Sequence, residues 1–332
     1  MTYTKDDTIF VQIASYCDPE LRHTLRDLFK KAKKPENIFV GVCYQHDMDN
    51  KDDEDVFKIP FVKSDQIRVF ERDYRENGEL GVCWSRNQAQ SLYEGEKWVL
   101  QIDSHMRFLK NWDEVIVTDI KKINNGKNIC FTAVPPSYHP TNNIETFPRI
   151  THLIGINKRR AIGIFQGHCG IGGEFSSPMP GIFIYACFVF GDSVLFDKPY
   201  IPNLLANDEH CFSIKVFMNG GKIYYYNKNI INHFWVDRLS SNVERSNNAF
   251  KHDKISDEIM LSLIVVKKSN KLEVAKAIDE YQLGEKRTIR SYERFAGVNF
   301  RTIKRREHTQ QGVFEEWKEV ANIASVKKIF QS

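Results

Sequence analysis

The sequence has no Cys-x-x-Cys pair, no apolar run long enough to cross a bilayer and no strong excess of either charge. Its seven cysteines (Cys17, Cys43, Cys83, Cys130, Cys169, Cys187, Cys211) are odd in number and scattered, most of them inside apolar runs. That distribution argues against a disulfide framework or a cysteine zinc site and fits free thiols in a reducing compartment. The longest apolar stretch, GIFIYACFVFG at 181–191, falls short of the roughly 20 residues a transmembrane helix needs. The opening MTYTKDDTIFVQIASYCDPE lacks the basic start and apolar core of a signal peptide, so the cytoplasm is the expected location. A net charge of +4 from 47 basic and 43 acidic residues is too balanced to require nucleic acid or an anionic membrane as partner. Internal repeats and low-complexity segments are also missing.

What is present is a core-forming composition, 42% hydrophobic and 12% aromatic over 332 residues, enough for one large domain or two ordinary ones. TIFVQIASY reads as a strand, and CDPELRHTLRDLFKKA as a helix with Asp18 as cap, Pro19 in its first turn and an apolar stripe at Leu21, Leu25, Leu28 and Phe29. IFVGVCYQ is a second strand, so the chain opens with a βαβ unit and a parallel sheet. QIRVFERDY, CWSRNQAQSLYE and KWVLQID continue the alternation to Asp103. Beyond it, NWDEVIVTDIKKIN reads as a helix, NICFTAVPPSY and IFIYACFVFG as strands, and ANDEHCFSIKVFMNG as a helix closed by glycine. KIYYYNKNII is a further strand with NHFWVDR as the turn after it. From about residue 255 the pattern is helical, in SDEIMLSLIVVKK, KLEVAKAIDEYQL, TIRSYERFAG and FEEWKEVANIASVKKIF.

Three stretches resemble functional motifs and read more simply otherwise. HDMDNKDDEDVF places Lys51 where a calcium loop needs an oxygen and lacks the required glycine, so it reads as a solvated loop. GHCGIGGEF has no strand-to-helix context for a phosphate cradle and reads as a mobile loop over the active site. The basic EKRTIRSYERF and FRTIKRREH read as solvated helix faces.

The chemistry concentrates in WVLQIDSHMRF, residues 98–108. In an open α/β sheet, ligands bind beyond the carboxyl ends of the strands. Residues i and i+2 of an extended chain face the same way, so Asp103 and His105 can reach one divalent cation. A carboxylate and an imidazole suit manganese, with water and pyrophosphate completing its shell. The plainer reading makes Asp103 a cap or turn residue and His105 ordinary surface.

TIFVQIASYCDPEL, ENGELGVCWSRNQAQSLYEGEKWVLQIDSHMRFLKNWDE and NDEHCFSIKVFMNGGKIYYYNKNIINHFW together resemble glycosyltransferase family 60. Its members are cytoplasmic polypeptide N-acetylglucosaminyltransferases that modify hydroxyproline on the ubiquitin-ligase adaptor Skp1, with bacterial relatives. The likeness spans roughly residues 8–240. It implies a GT-A fold, with a mostly parallel central sheet flanked by helices, a divalent metal, UDP-GlcNAc as donor and retention of anomeric configuration. The expected organisation is a catalytic domain at 1–250, with a nucleotide-binding half at 1–110 and an acceptor-side half at 111–250. A helical region follows at 251–332.

The Asp-x-His triplet also resembles that of the mucin-type polypeptide GalNAc transferases, which bind manganese through it and a distant histidine. By that likeness His233 is the third ligand beside Asp103 and His105; a histidine packed on Phe234 and Trp235 is the alternative. Arg86 is expected to contact pyrophosphate or donor sugar, or else to be an exposed helix arginine. Gln12, Ala14, Ser15 and Tyr16 are expected to line the uridine, with Asp103 and Ser104 beside the diphosphate. In GT-A enzymes an acid at the position of Asp208 and Glu209 faces the acceptor hydroxyl or donor sugar, so one of the two is expected to act there; both could instead cap their helix. The expected partners are a UDP-sugar and a protein or glycan hydroxyl, without nucleic acid. Two competing readings are a metal-dependent hydrolase of nucleotides or phosphoesters at the same ligands, and a protein- or nucleic-acid-binding module on an inactive transferase fold.

Overall fold

Branched and aromatic residues make the first half of the sheet. β1 (Ile9–Tyr16), β2 (Ile38–His46), β3 (Ile67–Asp73) and β4 (Trp98–Asp103) lie in the order β3-β2-β1-β4, all parallel. The computed structural model describes residues 2–49, 55–76, 81–138, 151–157, 164–169, 177–204, 208–234, 255–264, 269–296, 298–302 and 304–305, with backbone alone at 151–157, 164–169 and 304–305. α1 (Leu21–Lys31) connects β1 to β2 and α2 (Gly81–Gln90) connects β3 to β4, and α3 (Trp112–Lys122) follows β4. Register places Gln12 opposite Gln101 and Ala14 opposite Asp103, so β4 ends level with Ala14 and β1 runs two residues further.

Gly41 of β2 sets how closely α2 approaches. A Cβ there would lie 2.4 Å from the Phe10 ring and 2.9 Å from the Ala89 carbonyl oxygen, so the helix could not sit as near the sheet over any other residue. At the opposite end of the sheet the buried Asp7 carboxylate takes Lys121, Lys97 (2.9 Å) and the Trp98 indole N–H (3.3 Å).

The same sheet continues through the second half. β5 (Met106–Phe108) leaves the site, β6 (Ile129–Thr132) returns, and β7 (Thr151–Asn157) and β8 (Ile164–Cys169) form a separate hairpin. β9 (Met179–Gly181), β10 (Phe188–Asp192), α4 (Asp208–Met218), β11 (Lys222–Tyr225) and β12 (Ile231–His233) follow. The sheet extends β4-β10-β6-β11-β9, with β10 antiparallel to both neighbours and β11 parallel to β6.

Three local expectations are corrected here. IFIYACFVFG is not one strand: residues 182–187 turn, because the N–H groups of Ile184, Tyr185 and Ala186 donate to Ser213 Oγ, Thr132 Oγ1 and Glu209 Oε1, each at 2.9 Å, instead of to a neighbouring strand. Asn232 and His233 are not in a turn but in β12, antiparallel to β5. Asp18 does not cap α1, which begins at Leu21 with Glu20 at its N-cap.

The C-terminal part contains α5 (255–263), α6 (Leu272–Glu280), α7 (Ile289–Ala296) and a short hairpin, β13 (Val298–Asn299) with β14 (Lys304–Arg305). FEEWKEVANIASVKKIF lies outside the described residues. Phe295 stacks on Phe217 of α4 at 4.9 Å, and the Tyr292 hydroxyl donates to the Ile182 carbonyl at 3.0 Å. α7 therefore braces α4 and the 182–187 turn.

Candidate functional site

Asp103 is the last residue of β4, and Ser104 and His105 turn the chain into β5. Thr24 of α1 bolts that turn down: its hydroxyl donates to the Ser104 carbonyl and accepts the Met106 N–H, both at 2.8 Å. The Asp18 carboxylate, 1% exposed, lies against the same turn. Its Oδ2 is 2.7 Å from His105 Nδ1 and bonded to Ser104 Oγ, while Oδ1 accepts the Glu20 N–H at 3.0 Å.

His233 is brought in by β12, far from β4 in the sequence. Pairing of β12 with β5 sets it opposite Met106, and its N–H donates to the Pro136 carbonyl at 2.8 Å. Its Nε2 stands 3.1 Å from Asp103 Oδ2, and its ring meets His105 edge-on with centroids 4.7 Å apart. One ligand atom from each of Asp103, His105 and His233 lies within 4.8 Å of the others. This oxygen and two imidazole nitrogens form a donor set that suits a first-row divalent metal, manganese included.

Arg86 of α2 is buried beside this cluster. It binds the Asp208 carboxylate and reaches Asp103 Oδ1 at 3.5 Å. Burial works against its charge, but Asp208, Tyr200 and Asp103 hold its pKa above the ordinary arginine value. Burial likewise opposes ionisation of Asp103, yet the His233 hydrogen bond and the Arg86 guanidinium keep its carboxyl well below the usual carboxylate range.

Asp208 and Glu209, adjacent in sequence, diverge in space. Glu209 turns inward to accept the Ala186 N–H, and burial, then the neighbouring Asp208 charge, push it up from 4.5 to about 7. A raised acid favours folding while protonated, so this contribution is complete below pH 4.5 and is lost as pH rises through about 7. Glu209→Gln keeps the acceptor and mimics the protonated form. It is expected to raise the melting temperature by a few degrees at pH 8 and to leave it unchanged at pH 4, as read by calorimetry at the two pH values.

Of the residues expected to line uridine, Ala14 and Tyr16 are half-buried at the end of β1, with Tyr16 edge-on to Tyr74 at 6.0 Å. Ser15 is buried on the other face of the strand. Gln12 is buried below the site: its amide donates to Gln101 Oε1 at 2.6 Å, which also accepts from the Tyr200 hydroxyl at 2.6 Å. Gln101 in turn donates to the Ala186 carbonyl at 2.8 Å. Thr24, Gln101 and Tyr200 are absent from the reading of the sequence, which takes Asp18 for a helix cap. The signal available for Asp18 is its place as an acid just past the end of a parallel strand. In GHCGIGGEF only the backbone of residues 167–169, within β8, is described, and residues 50–54 of the acidic stretch lie outside the described residues.

A family model described as Glycosyltransferase (GlcNAc) matches residues 8–68 and 50–302. No curated protein matches the sequence. Among solved structures, a crystal structure of GalNAc-T7 with UDP, GalNAc and Mn2+ superposes with a TM-score of 0.58 at 13% identity, covering 86% of this chain. The chain spans about half, 56%, of that protein's length. Residues 1–349 of S. aureus TarS align over 81% of this chain and 68% of that one, at 14% identity and a TM-score of 0.48. The fold is of the GT-A type, as the family resemblance implied.

Proposed function

Because the chain belongs to the GlcNAc glycosyltransferase family, we propose that it transfers N-acetylglucosamine from UDP-GlcNAc to a hydroxyl of a protein or glycan, retaining anomeric configuration. The observation that carries this is the convergence of Asp103, His105 and His233 at the carboxyl end of β4. Within the family, the motif blocks around Asp103 and Asp208 support an assignment to glycosyltransferase family 60. The donor sugar follows the family's description. The cytoplasm is the compartment proposed, and no helix among the described residues is long and apolar enough to cross a membrane.

Asp103, His105 and His233 would hold Mn2+, which when bound neutralises charge growing on the UDP leaving group. The chain's own residues do the rest. Arg86, fixed between two carboxylates, presents a preorganised positive charge beside the diphosphate. Ala14, Tyr16 and Ser104 border the nucleotide. Asp208, held by Arg86, orients the donor sugar, and Glu209 holds the Ala186 wall. With attack from the leaving-group side, a departing phosphate oxygen takes the acceptor proton, and neither acid need act as a base.

The test is UDP release from a panel of UDP-sugars with Mn2+ or EDTA. Slow release is expected even without acceptor, fastest from UDP-GlcNAc, lost in EDTA and restored by Mn2+. Turnover of nucleotides or phosphoesters without preference for a sugar nucleotide would replace the transferase by a hydrolase.

A further inference from the structure

We propose that Asp18 is a positioning residue of the metal site, fixing His105 in the tautomer and orientation that ligate through Nε2. The inference rests on the assignment of Asp103, His105 and His233 as metal ligands. With Asp18 as the carboxylate, which has no hydrogen to give, the 2.7 Å contact from its Oδ2 assigns the proton to His105 Nδ1 and leaves the lone pair on Nε2. The carboxylate is itself held at both oxygens, by the Glu20 N–H on one and by Ser104 Oγ and His105 on the other. It cannot rotate away without breaking a bond made in the 1%-exposed interior. Asp18 does not cap α1, which begins three residues later with Glu20 at its N-cap, and the Glu20 N–H occupies only one of its two oxygens. The arrangement is that of a carboxylate behind a ligating histidine, where the outer partner sets ring orientation and basicity.

Asparagine at this position separates tautomer control from shape. If its oxygen stays on the Glu20 N–H, its NH2 faces His105 Nδ1 and drives the proton to Nε2. If the amide flips, its NH2 meets the Glu20 N–H, donor against donor. Either way the ligating form loses its advantage, although the side chain keeps its size. Thr24→Val is the control for a purely structural role, because it loosens the same turn without touching the His105 ring.

Two readouts on the full chain decide the matter. Long-range 1H–15N NMR of the metal-free protein, with His105→Gln identifying the signals of that ring, reads the tautomer. Mn2+ titration followed by electron paramagnetic resonance, without any sugar nucleotide, reads the affinity. Wild type and Thr24→Val are expected to show His105 protonated at Nδ1, and Asp18→Asn to shift it toward Nε2. The Mn2+ dissociation constant of Asp18→Asn should rise about 10- to 100-fold, and that of Asp18→Ala less. A wild-type His105 protonated at Nε2, or unchanged Mn2+ affinity in Asp18→Asn, would overturn the role of Asp18 while leaving the metal site standing. Failure of wild type to bind Mn2+ at all would remove the site itself and this inference with it.

Discussion

Asp103→Ala is expected to lower Mn2+-dependent UDP release from UDP-GlcNAc about a thousandfold while shifting the melting temperature by no more than a few degrees. Of the three proposed ligands Asp103 alone brings a formal negative charge, and it alone touches both His233 and Arg86. Its loss removes a ligand and frees Arg86 to turn wholly to Asp208, so transition-state charge is stabilised by neither group as before. Single preorganised electrostatic contacts of this kind are worth about 10²- to 10³-fold, and an effect on metal occupancy adds to that. Stability should change little because Arg86 keeps the Asp208 carboxylate, leaving no buried charge unpaired. Release of UDP by the variant at the wild-type rate in saturating Mn2+ would sink the assignment of Asp103 as a ligand. A large loss of melting temperature would instead make it a structural acid.

The site was legible in the sequence where chemistry and local pattern coincide. β1, β2 and β4 are buried parallel strands, which read as nearly continuous apolar runs, so the strand that ends at Asp103 could be recognised as ending there. What escaped depends on groups far apart in the chain. The apolar run at 182–187 has the composition of a strand, but its N–H groups are taken by Thr132, Glu209 and Ser213, and no local window contains those partners. Asp18 stands before a proline and an amphipathic helix, the usual place of a cap, and only contact with a residue 87 positions away turns it toward His105. His233 was reached by family likeness; its strand, three residues long, is defined by pairing with β5 more than by its own propensity. Gln12, apparently at a nucleotide edge, sits too deep because β1 runs four residues past it.

Arg86→Met carries the second large effect, on stability and activity together. The guanidinium lies between Asp103 and Asp208, and its removal leaves two half-buried carboxylates without the cation they share. Breaking a buried pair from one side costs about 3–5 kcal/mol, and the 17% and 30% exposure of the two acids puts the expectation at the lower end of that range. The pH dependence identifies the cause. In the wild type Asp103 is held below its ordinary value of 3.8, so it adds stability above that pH and loses it as pH falls through the depressed value. Without Arg86 that depression shrinks, so the deficit of the variant, measured by urea denaturation in EDTA, should be level from pH 7 down to about pH 4 and narrow only as pH falls below 3.8, where the Asp103 carboxyl takes up its proton. Asp208→Asn added to Arg86→Met should recover part of the stability, because one of the stranded charges is gone, and none of the UDP release, because the positive charge beside the diphosphate is still missing. A deficit independent of pH would trace the loss to packing of α2 over Gly41. Recovery of activity in the double variant would show that Arg86 serves only to neutralise Asp208.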